Sequence, residues 1–124
     1  MSLFDWLLVV HLVGDFLLQS DRMAGNKTRN RQWLLRHVGL YILIVSPVLV
    51  LYALLHHVPA WTVASAVLFL FGTHLALDRR EPVAWWMQRV GMAPDHPWLP
   101  IVIDQVFHLL TLAIVAQALF LVQP

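Results

Sequence analysis

Three histidine–aspartate pairs, each four residues apart, mark this chain: His11–Asp15, His74–Asp78 and Asp104–His108. A seventh titratable group, His37, opens a long apolar run. Residues four apart share one face of an α-helix, about 6 Å apart along its axis. Neutral imidazole and carboxylate together suit zinc, with manganese and iron as alternatives. The chain has no cysteine, which removes disulfides, thiolate metal sites and cysteine nucleophiles. Seven groups exceed the three or four protein ligands of one zinc site. They fit two ions, or one ion whose imidazole ligands are oriented by carboxylates. Two ions would sit roughly 3.5–4 Å apart and could activate a water between them.

The elements that must position these residues follow from composition. Of 124 residues, 60% are apolar or aromatic and only 12% are charged. Soluble domains carry about 25% charged residues, so an ordinary soluble domain is nearly excluded, and so is a disordered chain. A net charge of +1 leaves no basic face for nucleic acid. Crossing a bilayer core takes roughly 20 apolar residues. Four stretches approach this: about 3–20, 37–58, 60–78 and 99–122. The first is interrupted by Asp5, His11 and Asp15 and has neither the basic start nor the small-residue cleavage site of a signal peptide. The expected fold is all-α: a single transmembrane domain over 1–124, a four-helix membrane bundle. A short amphipathic helix containing VAWWMQRV should lie at the interface between the third and fourth spans, with its Trp, Met and Val on one side. Pro82 should start that helix, and Gly91 with prolines 94, 97 and 100 should end it. Pro47 should kink the second span or be accommodated by a neighbour.

The basic residues set an orientation. Arg22, Lys27, Arg29, Arg31 and Arg36 fall in or beside the connection 21–36, and Arg79, Arg80 and Arg89 fall in the connection 79–98. These eight are all the Lys and Arg of the chain. The positive-inside rule places both connections in the cytoplasm and both termini outside, as in a multi-pass inner-membrane protein. The basic connections would meet anionic lipid headgroups. The eight basic residues less Asp21, Glu81 and Asp95 leave +5 on the connections, against three aspartates inside the membrane.

With this topology the His–Asp order acquires meaning. Spans one and three run inward with His first, and span four runs outward with Asp first. Each pair therefore puts its aspartate nearer the cytoplasm, and His37 begins span two at the same level. Three aspartates in one layer, with no Lys or Arg expected at that depth, call for one or two divalent cations or for protonation. Hydrogen bonding that merely joins helices, an ion or proton path, and haem are the competing readings. Haem fits poorly, because three of the four histidines have an aspartate one turn away. The apolar outer halves of spans two to four oppose a through-path unless a homo-oligomer builds one. His56 and His57 read as hydrogen-bonding residues at a helix end, and His96 as solvated or capping. HLVGD at 11–15 and HLALD at 74–78 match at His, Leu and Asp, a faint internal repeat. Gly14, Gly39 and Gly72 would let helices approach closely.

The segment HLVGDFLLQSDRMAGNK (11–27), followed by RHVGLYIL (36–43), THLALD (73–78) and DQVFHLLTL (104–112), resembles the DUF3307 family of small bacterial integral membrane proteins. The resemblance covers nearly the whole chain. It implies a multi-pass membrane protein and, position by position, the family residues His11, Gly14, Asp15, Gln19, Asp21, His37, His74, Asp78, Asp104, Gln105 and His108. A looser similarity links the chain to small membrane-bound metal-dependent hydrolases. Just below the metal layer lie Gln19, Asp21, Asn26 and Lys27. Here Ser20 or Asp21 would cap a short helix; alternatively Lys27, Arg79 or Arg80 would hold a phosphate beside the metal. The leading expectation is a metal-dependent hydrolase acting on a lipid-associated or phosphorylated substrate. His11, Asp15, His37, His74, Asp78, Asp104 and His108 would be its ligands, Asp15 and His37 its catalytic pair, and Gln19, Asp21, Lys27 and Gln105 its supporting or substrate residues. An ion transporter or channel subunit and a metal-stabilised structural or partner-binding subunit are the alternatives.

Overall fold

A computed structural model of the protein describes residues 1–93 and 95–124, and the sequence expectation for Pro94 lies outside them. The described residues are helical, without strands. Helix α1 spans Leu3–Leu12 and runs directly into a π-helical turn, Val13–Leu17. A short helix α2 covers Asp21–Asn26, and α3 covers Arg31–His56. Then follow α4 (Ala60–Leu77), α5 (Glu81–Arg89) and α6 (Leu99–Leu121). Helix α1 packs on α3 and α6, and α4 packs on the same two. The four helices therefore close a ring around one buried seam.

Each boundary has a local cause. Ser2 Oγ accepts from the Asp5 amide at 3.2 Å, and Asp5 Oδ2 accepts from the Ser2 amide at 2.7 Å. This capping box gives Asp5, which interrupts the first apolar stretch, a structural task. Ser20, rather than Asp21, caps α2, accepting from the Met23 amide. Asn30 Oδ1 accepts from the Gln32 amide, so α3 begins at Arg31 and not at His37. His37 thus sits well inside the helix. Helix α3 runs through Pro47 without interruption and ends at His57, which adopts the left-handed conformation with φ 54°.

Helices α3, α4 and α6 are long and apolar enough to cross a membrane. The first segment is shorter: 10 residues of α1 and 5 of the π turn, or about 22 Å of helix. The outward faces are apolar as well as the seam. Leu43, Leu51, Leu54, Leu68, Leu110, Ile114 and Phe120 are all exposed, an arrangement that water does not favour and lipid does. Helix α5 packs on α4 and α6, with Val83 and Met87 buried and Trp86 edge-on to Phe107. Trp85 points outward, off the Val–Met side expected for it, because residues two apart on a helix diverge.

The buried stripe of each helix is continuous. It runs through Leu3, Leu7, His11 and Asp15 in the first segment, and through His37, Tyr41, Val45, Leu49 and Ala53 in α3. In α4 and its cap it holds Val63, Ala66, Leu70, His74 and Asp78, and in α6 Asp104, His108, Leu112, Val115 and Leu119. One half of the seam is apolar and the other polar, and the two meet at Tyr41. At the apolar end Met1–Phe4, Tyr52, His56 and Phe120 with Gln123 line a common cavity, where Gln123 donates to the Tyr52 hydroxyl. Of the three glycines expected to permit close approach, only Gly14 does so. A Cβ there would meet Ile44 Cδ1 at 2.9 Å and Tyr41 Cδ2 at 3.2 Å, whereas Gly39 and Gly72 face open space.

Candidate metal centre

All seven sequence-selected groups converge at the polar half of the seam. His11, Asp15, His37, His74, Asp78, Asp104 and His108 are buried. Three overlapping sets bring a ligand atom from each member within 4.8 Å of the others: His11, Asp15 and His74; His37, His74 and Asp78; Asp78, Asp104 and His108.

The tightest arrangement joins four atoms. His37 Nε2 lies 3.1 Å from His74 Nε2. Asp78 Oδ2 is 3.0 Å from the first and 3.2 Å from the second. Asp15 Oδ1 is 3.4 Å from each. Four ligands around a tetrahedral zinc, with bonds of about 2.0–2.2 Å, stand about 3.3–3.6 Å apart. The five distances lie at or slightly below that range, with the two imidazole nitrogens between the two carboxylates. Neither Asp15 Oδ1 nor Asp78 Oδ2 accepts a hydrogen bond, although both lie within ion-pair distance of imidazole nitrogens. Buried carboxylate oxygens seldom go unsatisfied. A buried carboxylate oxygen without a donor is open to a cation.

The remaining groups orient this set. Gln105 Nε2 donates to Asp15 Oδ2 at 3.2 Å, and Gln105 Oε1 lies 3.0 Å from His11 Nε2. A carboxylate only accepts, so the amide must face Asp15 with its nitrogen, and His11 must donate through Nε2. His11 thus holds Gln105, Gln105 holds one oxygen of Asp15, and the other oxygen is left for the four-atom set. Gln19 Nε2 donates to the Asp15 carbonyl at 3.0 Å, across the π turn. The Tyr41 ring stacks on His74 with centroids 3.9 Å apart and closes the site toward the apolar half. Sequence reasoning overlooked Tyr41, yet it lies four residues after His37 on the same face. The π turn carrying Asp15 was also unforeseen. Its one sequence signal is Gly14, and π turns often occur at functional positions.

Lys27 corrects the expectation that no basic residue reaches this depth. Placed by the end of α2, its ammonium donates to Asp78 Oδ1 at 2.8 Å and lies 3.3 Å from His37 Nε2. It is buried, unlike the other basic residues of the connections. The amine thus faces a carboxylate of the chain itself, not a headgroup. With neutral imidazoles the three aspartates and Lys27 sum to −2, the charge one divalent cation neutralises. Asp21 is not brought to the site; it is exposed in the first turn of α2. Asn26 instead donates to the Arg22 carbonyl, and Arg79 and Arg80 are exposed.

A family model, the protein of unknown function DUF3307, matches residues 3–124, and the chain belongs to that family. No curated protein and no solved structure matches it.

Proposed function

We propose that this member of the DUF3307 family is a four-span inner-membrane protein that holds a divalent cation, zinc by its donor set, between His37, His74, Asp15 and Asp78. The observation that carries the reading is the approach of His37 Nε2 and His74 Nε2 to each other and to one oxygen each of Asp15 and Asp78, five distances of 3.0–3.4 Å, with neither oxygen accepting a hydrogen bond. The membrane setting is supported by the three long apolar helices and by the apolar residues on their outer faces. The first segment would complete the four spans as the short one, its polar end drawn into the site. The basic connections support an orientation with that end in the cytoplasm, in which α5 would lie in the interface and Trp85 would face lipid headgroups.

The activity proposed is hydrolysis of a lipid-associated or phosphorylated substrate entering from the basic end. A divalent cation would supply polarisation of a carbonyl or phosphoryl oxygen and a lowered pKa for water. The chain's own residues would hold it: two imidazoles and two carboxylates as ligands, His11 and Gln105 fixing Asp15, and Tyr41 excluding water from the apolar side. His37 acts in this reading as a ligand rather than a free base. A second reading, in which the ion only ties the helices together, is favoured by one specific observation: four protein ligands make a closed site, the usual structural arrangement. An ion path is disfavoured by the apolar seam beyond Tyr41.

Elemental analysis of the full chain, purified in detergent without chelator, tests the metal reading. About one zinc per chain is expected, lost in His74→Ala. Absence of stoichiometric metal from the wild type, with His74→Ala equally stable, would sink it. Turnover of a phosphorylated lipid that disappears with chelator separates the hydrolase from the structural reading.

A further inference from the structure

The second carboxylate oxygen of Asp78 is also committed. Asp78 belongs both to the four-atom set and to a separate group with Asp104 and His108. In that group His108 Nδ1 is turned to the Asp104 carbonyl at 2.9 Å, which leaves Nε2 as the outward ligand atom. His108 is 1% exposed and its Nε2 makes no hydrogen bond; Asp104 Oδ1 makes none either, although it lies 3.6 Å from His108 Nδ1. These are the orphaned atoms of a second cation position. The one cation near it belongs to the protein: the Lys27 ammonium, 2.8 Å from Asp78 Oδ1.

We propose that the bundle contains two cation positions sharing Asp78, and that Lys27 fills the place of the second ion, holding the centre to one metal. This rests on the metal reading of the first position. The charges agree. Three aspartates and Lys27 leave −2, which a single divalent ion cancels, whereas a second ion beside Lys27 would leave an excess of +2. Withdrawal of Lys27 gives Asp78 Oδ1 back, so that the carboxylate would bridge the two positions through its two oxygens, with Asp104 and His108 as two further ligands. Three protein ligands leave a position open for water, the arrangement of catalytic rather than structural sites. Lys27 closes α2 (Asp21–Asn26) and connects it to α4, so movement of this short helix would carry the ammonium out of the site.

The test is zinc stoichiometry on the full chain in detergent, with zinc the only metal added. The wild type should hold one ion and Lys27→Met two, and Lys27→Met with Asp104→Asn should return to one. Lys27→Ala, which removes both the charge and the donor on Asp78, serves where Lys27→Met does not fold, and is also expected to hold two. One ion in the Lys27 variants overturns this inference and leaves the first position standing. Two in the wild type overturns the blocking role of Lys27. None in the wild type overturns the metal reading itself, and this inference with it.

Discussion

The two halves of the seam are built on the same four helices, on the same faces, and are equally buried, yet different physics holds them. In the apolar half Leu7, Leu49, Leu70, Leu112 and Leu119 are almost wholly enclosed. Their attraction is non-directional, and in a bilayer it gains little, because lipid chains are as apolar as leucine. In the polar half every contact depends on direction and charge. Asp78 alone faces Lys27, His37 and His74 within 3.2 Å. Removing a methylene loosens the first half; removing one partner in the second strands a charge. The polar end is therefore where a change should do most harm, and where the chain has most reason to accept a bound ion.

Substitutions ordered by expected effect can break this contrast. Asp78→Ala should be the most damaging, because it leaves the buried Lys27 ammonium unpaired and takes a ligand from both proposed cation positions; a loss of about 3–5 kcal/mol is expected. Thermal unfolding in detergent reads it, and Asp78→Ala with Lys27→Met should recover part of the loss. If Asp78→Ala is as stable as the wild type, the polar half is not what holds the bundle. Leu112→Ala, one turn beyond His108, should cost about 2 kcal/mol, near the lower end for a buried leucine since the transfer term is small in lipid. Metal content should be unchanged; loss of metal there would mean that the halves are coupled. Gly14→Ala should cost about 1–2 kcal/mol by crowding Ile44 and Tyr41. Gly72→Ala, in open space, should be neutral or stabilising by up to about 1 kcal/mol. Equal effects at the two glycines would show that the Gly14 approach is not tight.

Much of the site could be read from spacing, and the reason is geometric. A pair at i and i+4 must share a face, and reversal of its order in an antiparallel helix must return it to the same level. Hence His11, Asp15, His74, Asp78, Asp104 and His108 were found together. Side chains outside this regularity were misjudged. Lys27 lies in a basic connection among four arginines, and nothing local distinguishes it from a lysine at the lipid surface. Its burial depends on where α2 sets the chain against α3 and α4. Asp21 has the same composition cues and stays outside. Gly39 and Gly72 looked like helix contacts because they are small, but the stripe that turns inward is set by His37–Tyr41 and Leu70–His74.

Composition and periodicity therefore settle the helical character, the long apolar stretches and which histidine and aspartate share a face, because each is a property of one helix in isolation. Packing alone decides which oxygen of Asp15 is free, how His11 is protonated, and that the ammonium of Lys27 rests on Asp78. Those outcomes depend on ångström-scale distances between helices distant in the chain, and such distances have no trace in the spacing of residues along any one of them.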